Sequence, residues 1–308
     1  MSLPPLLYHY FQLPLPYART LAVQESIHAL QLALRRSKAH QDILLLLEHR
    51  PVYTTGRRQL SSAPEVLAEE TRLTRLGADF VTTQRGGQIT YHGPGQLIGY
   101  PLMDLGRTTP PVGIREYICK MQTTLKLHLS EAHGIKTIPS DNTGVFTDPF
   151  TKIASIGVQV RHRLTTHGFG LNITPEIYSW FSQVVACGLA NVRPTSIADA
   201  TITKKPGEIT VSGEIQGLVR RWGKVYGRDM ERLDVGGGGE LAEIIRALEE
   251  EARAAALPPP PAVSLHLLAG HDHISPHQRI PPKTVRQISL FCGEKLGAPV
   301  LVITGFTI

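Results

Sequence analysis

The chain has 308 residues, of which 42% are hydrophobic and 19% are charged, as is typical of a globular protein with a sizeable core. The strongest apolar run, residues 43–47, is far shorter than the roughly 18 residues of a transmembrane helix, which argues against membrane insertion. The 32 lysines and arginines exceed the 26 aspartates and glutamates by 6, a surplus that suits an acidic protein or a nucleic acid without choosing between them.

The predicted elements of the first half combine short strands with two long helices. Apolar residues at steps of three and four form one stripe along each helix, at residues 19–36 and 113–132. Short apolar or alternating runs predict strands at residues 43–47, 52–54, 78–83 and 96–102. A basic turn with Arg57 and Arg58 follows the second strand, and the last two strands flank a glycine-rich loop.

The second half begins with a predicted β-hairpin at residues 152–173, where apolar and polar side chains alternate, turn and return. Helices are predicted at residues 175–181 and 212–226. Strands and helices therefore mix without a regular βαβ rhythm. This favours an α+β fold, with a mixed sheet and flanking helices, over a doubly wound sheet.

The composition changes after the last of these helices. Glycines 236–239 and prolines 258–261 bracket a charged predicted helix at residues 240–257, and the remainder reads as an irregular tail. We therefore predict a domain of residues 1–228 and a carboxyl-terminal extension, residues 229–308, with glycine-rich and proline-rich linkers and no assigned function.

The glycine-rich loop lies in the stretch RGGQITYHGPGQLIGYPLMDL, residues 85–105. Its glycines would let backbone N–H groups approach a ligand, with Arg85 as an anchor and His92 as a hydrogen-bond donor or acceptor. The alternative is a glycine-rich hairpin around a core histidine. The stretch matches neither the P-loop nor the dinucleotide-binding pattern, so a phosphate site has little support.

Three cysteines, Cys119, Cys187 and Cys292, are too few and too scattered for a disulfide scaffold or a cysteine zinc site, which favours a reducing compartment. Cys119 falls within a predicted helix and is interpreted as a packing residue. Cys187 becomes a nucleophile only if a nearby base or cation favours the thiolate. Lys152 is a candidate because it leads directly into an apolar strand; the alternative is an inert buried cysteine and a surface lysine.

Histidines offer a further set of candidates. His167, which precedes Gly168, Phe169 and Gly170, could line an apolar slot or be a hydrogen-bonded histidine within a strand. Four more histidines lie in the tail, at positions 266, 271, 273 and 277. Without nearby cysteines or a helix-spaced pair they do not predict a zinc site.

Four segments, in the order RGGQITYHGPGQLIGYP, KIASIGV, HGFGLNI and ACGL, closely resemble the lipoyl(octanoyl) transferases of lipoate biosynthesis, and the similarity extends from about residue 6 to about residue 227. It implies the α+β fold with a mixed sheet of the biotin and lipoate ligase catalytic domain, so that residues 1–228 would be the catalytic domain. It also implies transfer of an octanoyl group from acyl carrier protein to a lysine of lipoyl-domain proteins through a cysteine thioester. This transfer is the first step of endogenous lipoate biosynthesis.

By this resemblance Cys187 is the nucleophile that holds the acyl chain, and Lys152 favours its thiolate and shuttles protons. The residues implied in substrate binding are Arg85, Gly86, Gly87, Gln88, Ile89, Thr90, Tyr91, His92, Ser155, Ile156, Gly157, His167, Gly168, Phe169 and Gly170. No metal and no cofactor are implied, because exchange between two thioesters is nearly balanced and amide formation runs downhill. Burial of the acyl chain gains about 0.8 kcal/mol per CH₂, roughly 6 kcal/mol as an upper value.

The implied partners are octanoyl-acyl carrier protein as donor, and lipoyl-domain proteins such as glycine cleavage H protein or 2-oxoacid dehydrogenase E2 subunits as acceptors. A basic surface that includes Arg57 and Arg58 suits an acidic carrier. We expect no nucleic acid and no membrane insertion. The family implies a mitochondrial location in a eukaryote and a cytoplasmic one otherwise, although the domain pattern begins near Met1 and leaves no room for a presequence.

Two other functions are compatible with these residues. An ATP-dependent lipoate or biotin ligase of the same fold would need a site for an acyl-adenylate and would not need Cys187. A catalytically silent module would use the basic face to bind an acidic protein or RNA, and would leave Cys187 and Lys152 without a role.

Overall fold

The computed structural model describes residues 3–57, 59, 62–185, 191–203 and 205–254 of the chain. Arg58, Cys187, Cys292 and the predicted tail after residue 254 lie outside these residues. In the described part, none of the helices combines the length and the apolarity that crossing a bilayer requires.

Two sheets organise the described residues. The strands are β1 (Leu6–Tyr10), β2 (Ile43–Leu47), β3 (Val52–Thr55), β4 (Asp79–Thr82), β5 (Thr90–His92), β6 (Gln96–Leu102), β7 (Val145–Asp148), β8 (Thr151–Arg161), β9 (Leu164–Asn172), β10 (Arg193–Pro194) and β11 (Met230–Arg232). The large sheet has the order β10-β8-β9-β6-β2-β1-β11 with β7 also paired to β8, and the small sheet has the order β4-β3-β5. The large sheet is mixed, because β1 is parallel to β2 and β11 whereas β6 is antiparallel to β2 and β9.

Helices cover both faces of the large sheet. They are α1 (Tyr17–Leu34), α2 (Pro64–Thr74), α3 (Ile114–His133), α4 (Ile177–Phe181), α5 (Ile197–Ala200), α6 (Val211–Tyr226) and α7 (Glu240–Ala254). The predicted α+β class, with a mixed sheet and flanking helices, is thereby confirmed.

Strand β2 shows why the sheet needs two helical layers. Leu44 and Leu46 point into the cluster that contains α3 and α6, whereas Leu45 and Leu47 point into the cluster of α1 and α7. Because successive side chains of a strand face opposite sides, a strand that is buried on both faces must be apolar throughout. The unbroken run ILLLL at residues 43–47 meets this requirement.

Most predicted elements are present, with shifts at their ends. Strands β2 and β6 and the hairpin of β8 and β9 lie where the sequence placed them, whereas the predicted helix 175–181 begins only at Ile177, after a turn. The sequence prediction missed β1, helix α2 and the short strands β5, β7, β10 and β11. Each missed strand has at most five residues and depends on partners elsewhere in the chain.

The first part of the predicted extension packs on the large sheet. Strand β11 pairs in parallel with β1, and α7 places Leu241, Ile245, Leu248 and Ala252 in the apolar cluster beneath α1. The boundary at residue 228 therefore stays a prediction about function. In packing, residues 230–254 belong to the body of the fold.

A buried carboxylate ties this region to the amino-terminal end. Asp42 accepts a hydrogen bond of 2.8 Å from Arg107 and pairs with Arg228. Arg228 also donates to the carbonyls of Pro4 and Pro5, at 2.9 and 3.0 Å. The buried carboxylate needs both guanidinium groups as partners, because burying an unpaired carboxylate costs free energy.

We predict that Leu248→Ala lowers the free energy of unfolding by about 2–5 kcal/mol, because it opens a cavity in the cluster between α7 and the sheet. Leu67→Ala is the matched control, since Leu67 is 50% exposed on α2 whereas Leu248 is 3% exposed; its cost is expected to stay below about 1 kcal/mol. Urea unfolding of the full chain measures both. Equal losses for the two variants would contradict the packing of α7.

Candidate active site

A cavity of about 510 Å³ lies where β8 and β9 meet the glycine-rich loop and helix α3. Its size is within the range of about 300–1,000 Å³ that is typical of small-molecule sites. It is lined by thirteen of the residues that the sequence singled out, which are Arg85, Gly86, Gly87, Thr90, His92, Lys152, Ser155, Ile156, Gly157, His167, Gly168, Phe169 and Gly170. Motifs that are far apart in the sequence therefore meet around one space.

Three singled-out residues are placed elsewhere, and a fourth is not described. Gln88 and Ile89 line a neighbouring cavity of about 460 Å³ beside α2. Tyr91 is fully buried and stacks on Trp180, with ring centroids 5.6 Å apart. Cys187 lies outside the described residues, in the segment between α4 and β10. Roles in substrate binding or catalysis stay predictions for these four and for the thirteen that line the cavity.

The close approach of β9 to its neighbours explains two of the glycines. A Cβ at Gly168 would lie 2.0 Å from the carbonyl oxygen of Gly99, and a Cβ at Gly99 would lie 2.1 Å from the ring of Phe169. Both contacts are shorter than any real Cβ contact, so these positions exclude a larger residue. The glycines thereby let the ring of Phe169 reach the cavity wall.

Arg85 holds the glycine-rich loop rather than facing solvent. It is 6% exposed, and its guanidinium donates to the carbonyls of Thr54, Gly86 and Gln88, at 2.7, 2.9 and 3.0 Å. A further bond of 2.8 Å reaches the hydroxyl of Thr54. Five fixed N–H donors on a planar group suit this role, which agrees with the predicted anchor.

Three buried histidines around the cavity are neutral at pH 7. Burial lowers the pKa of His49 to about 4, and burial together with neighbouring positive groups lowers the pKa of His92 and of His167 to about 3. Arg85 is among those positive groups for both His92 and His167. Neutral imidazoles can donate at one nitrogen and accept at the other, as a site for an uncharged acyl group requires.

The hydrogen bonds fix which nitrogen carries the proton in two of these rings. His49 donates from Nδ1 to the carbonyl of Leu15 at 3.0 Å, so its Nε2 accepts from the hydroxyl of Tyr100 at 2.6 Å. His92 donates from Nδ1 to Oε1 of Gln96 at 2.7 Å. Each ring is thus held in one tautomer by its partner.

Two tyrosines of the cavity were missed by the sequence reasoning. Tyr17 and Tyr100 both line it, the ring of Tyr17 stacks on His92 at 6.2 Å, and burial raises the pKa of Tyr17 to about 12. His49, the hydrogen-bonding partner of Tyr100, was also missed. His49 follows Glu48 directly after the apolar run of residues 43–47, and this polar pair was the available signal for it.

Lys152 brings an amine to the cavity from the start of β8. The residue is 9% exposed, and its Nζ lies 5.3 Å from the centre of the Phe146 ring. The aliphatic part of the Lys152 side chain packs against Gly144, and a Cβ at Gly144 would lie 2.4 Å from Cε of the lysine. The backbone of Lys152 accepts a 3.0 Å bond from the N–H of Thr195, just after β10.

Cys119 requires a correction. It is half-buried on α3 and is disulfide-bonded, so the sequence interpretation of a simple packing thiol is wrong. Because Cys119 is disulfide-bonded, labelling experiments on this protein need reduced thiols.

The comparisons with known proteins identify the family. Residues 16–208 match the model described as the lipoyl protein ligase A/B catalytic domain. A mitochondrial octanoyl-acyl-carrier-protein:protein N-octanoyltransferase of Danio rerio is 41% identical over 182 residues, which cover 59% of this chain and 77% of that protein. The chain belongs to the lipoyl(octanoyl) transferase family. A second transferase relative, an octanoyltransferase of Caldicellulosiruptor saccharolyticus, is 31% identical over 237 residues, covering 76% of this chain and 94% of that protein.

Solved structures share the fold of this transferase at low sequence identity. A bi-partite lipoate protein ligase of Thermoplasma acidophilum has a TM-score of 0.54 at 15% identity and covers 82% of this chain and 93% of that one. A lipoate-protein ligase A bound with ATP has a TM-score of 0.53 at 14% identity, covering 81% and 95%. At such identities the likeness shows the fold alone.

The histidines predict acid destabilisation of the transferase. In the unfolded chain each imidazole takes up a proton near pH 6.5, whereas in the folded chain His49, His92 and His167 stay neutral to about pH 4, 3 and 3. The unfolded state thus binds more protons, and the free energy of unfolding falls as the pH is lowered from about 6.5 to about 4. Each histidine contributes about 1.4 kcal/mol per pH unit to this slope, measurable by urea unfolding at several pH values.

A matched pair of variants tests the assignment. His167 and His162 both have a positive φ, of 59° and 53°, and asparagine tolerates this conformation. His167→Asn should flatten the slope by about one histidine's share. His162→Asn, at an exposed position, is the control for the loss of a surface histidine. An unchanged slope in His167→Asn would show that this ring is charged in the folded chain.

Proposed function

We propose that this protein transfers an octanoyl group from octanoyl-acyl carrier protein to a lysine of lipoyl-domain proteins, with Cys187 as nucleophile and Lys152 as its base. The observation that carries the proposal is the position of Lys152, which lines the cavity formed by the family's motif segments. Cys187 belongs to the segment that enters β10, and β10 pairs with β8 at Lys152. This pairing supports the assignment of the two residues to one site.

The chemistry needs two acyl transfers. Lys152 accepts the proton of the Cys187 thiol, and the thiolate attacks the carbonyl carbon of the donor thioester. The carrier's C–S bond breaks, and the departing carrier thiol takes up the proton. In the second half the amine of the acceptor lysine attacks the new thioester, the C–S bond breaks and an amide forms. Lys152 accepts the proton that the amine loses and passes it to the departing Cys187 sulfur. No nucleotide is consumed in this balance.

The cavity supplies two further requirements. The apolar side chains of Ile118, Ile156 and Phe169 line it together with neutral His92 and His167. An acyl chain transferred from water to such walls gains free energy for each methylene buried. Neutral His167 can donate from Nε2 to the thioester carbonyl when its Nδ1 accepts from the hydroxyl of Tyr17 at 3.4 Å. His92, which carries its proton on Nδ1, can only accept at Nε2, and neither ring adds a buried charge.

The basic groups at the cavity support an acidic donor. Arg57 and Arg161 contribute to its lining, and Arg57 is exposed. Positive charge beside the opening would speed encounter with an acidic carrier protein and make the rate depend on salt.

The compartment is part of the proposal. Transferase relatives of Danio rerio and Arabidopsis thaliana, 41% and 34% identical, are named mitochondrial. Their names support a mitochondrial location for this chain if its source is a eukaryote.

Reduced, purified protein incubated with octanoyl-acyl carrier protein and no ATP should gain one octanoyl group on Cys187. Intact-mass spectrometry followed by peptide mapping detects it. Cys187→Ser should abolish transfer to a lipoyl domain, and Lys152→Ala should slow it by about 10²–10⁴-fold, as expected for loss of a general base. An ATP requirement, or full transfer by Cys187→Ser, would refute the proposal and favour a ligase.

Gly144→Ala tests the position of the lysine without removing any reacting atom. The added methyl would lie 2.4 Å from Cε of Lys152 and 3.2 Å from its Nζ, so the amine must shift. Gly144 also has φ of 140°, which strains an alanine. We expect a fall in kcat of at least about 10-fold with the fold retained, measured by transfer kinetics and circular dichroism.

The matched control for this variant is Gly113→Ala, because no atom lies within 4 Å of a Cβ at that position. It should keep full activity. Normal kinetics in Gly144→Ala would show that the lysine's position is not limiting.

A further inference from the structure

A cluster of two histidines and one glutamate lies between helices α3 and α6. Oε2 of Glu214 is 2.8 Å from Nε2 of His128 and 2.7 Å from Nε2 of His133. The side chains are 1%, 0% and 3% exposed for His128, His133 and Glu214, in that order. Among the described residues none of the three lines the cavity of the active site, so the proposed acyl transfer gives the cluster no role.

The three atoms converge as metal ligands do. One ligand atom from each residue lies within 4.8 Å of the other two. Ligand atoms at about 2.0–2.2 Å from a tetrahedral ion lie roughly 3.3 Å apart. Side-chain rotations that move the three atoms by a few tenths of an ångström to about one ångström would therefore accommodate an ion. Two imidazole nitrogens and one carboxylate oxygen form a donor set that suits Zn²⁺.

The surrounding electrostatics favour a cation at this point. Glu214 supplies a carboxylate oxygen that accepts a hydrogen bond from each of the two histidines. His133 is the last residue of α3, where the negative end of the helix dipole attracts cations. Glu214 lies in the first turn of α6, where the positive end stabilises a carboxylate.

Arg221 of α6 has partners of its own, since it donates to Glu131 at 2.9 Å and to the carbonyl of Gly217 at 3.0 Å. In the described part, Nδ1 of His128 and of His133 has no hydrogen-bond partner. The hydrogen bond of each ring is thus the one from Nε2 to Glu214. When Nε2 binds a metal instead, Nδ1 can carry the proton of the neutral imidazole.

We propose that His128, His133 and Glu214 form a buried structural site for a divalent transition-metal ion of the Zn²⁺ type, which joins α3 to α6. The site connects residues 81 positions apart in the sequence. Helix α3 also contributes Ile114 and Ile118 to the wall of the active-site cavity. The ion thus fixes the helix that forms this wall and takes no part in acyl transfer.

The first test is binding of Zn²⁺ to the full chain, in competition with a chromophoric chelator. We expect about one ion bound at this cluster and a higher melting temperature with zinc than after chelation. Glu214→Gln, which keeps the side-chain volume, should weaken this binding at least about 100-fold. His162→Asn, the exposed control, should bind as the unaltered protein does.

Other histidines and cysteines require a second control. A variant in which the four tail histidines at positions 266, 271, 273 and 277 are replaced by asparagine should retain the ion. Loss of binding in this variant, together with unchanged binding in Glu214→Gln, would overturn the proposal. Failure of the unaltered chain to bind Zn²⁺ would overturn it as well.

Crystals of the unaltered protein grown with Zn²⁺ give a test that needs no variant. Anomalous scattering at the zinc edge should place a peak between the two Nε2 atoms and Oε2 of Glu214. A peak only at surface groups, or no peak, would contradict the site. Octanoyl transfer is measured separately, so loss of the metal site and loss of the proposed activity remain distinguishable.

Discussion

The tight packing of strand β9 between β8 and β6 is the constraint on which the rest of the structure depends. Gly157 lies opposite Gly168 across one strand boundary, and Phe169 lies opposite Gly99 across the other. A side chain at Gly168 or Gly99 would collide with backbone or ring atoms across the second boundary. This pairing brings the glycine-rich loop, the strand that starts at Lys152 and the strand that carries His167 around one cavity. Loss of the close contacts at Gly168 and Gly99 would move these three segments apart.

The same packing buries polar side chains at the site, and their burial has both a cost and a use. Polar groups such as Arg85 and His92 are buried there and must find partners within the protein. Their carbonyl and amide partners keep the loop rigid and hold His92 in one tautomer. The low polarity that keeps the imidazoles neutral also favours the binding of an alkyl chain. The lower free energy of unfolding at acid pH and the binding of an acyl chain therefore have the same physical cause, which is burial of the site.

Local pattern was sufficient where a single element decides the outcome. The run of residues 43–47 predicted a doubly buried strand, and alternation over residues 152–173 predicted the hairpin, because periodicity reports burial directly. The motif residues that line the cavity followed from resemblance. Tyr91 illustrates the limit of that approach, since position within a motif did not reveal that its ring turns towards Trp180.

The rest required long-range information. Strand β1 acquires its partners from β2 and β11, and the second of these lies more than 200 residues away. The cluster of His128, His133 and Glu214 is hidden for the same reason, because a spacing of five residues on one helix matches no metal motif until α6 supplies the carboxylate. Contacts set by topology have no signature within a short window of sequence.

The placement of β11 and α7 has an evolutionary consequence. Strand β11 forms one edge of the large sheet and β8 lies near the other, five strand spacings away, or about 24 Å. Helix α7 ends beside the start of α1, where Glu251 accepts a 2.7 Å hydrogen bond from Arg19. The edge strand β11 and the helix that follows it can therefore vary in lineages without changing β8, the strand that carries Lys152.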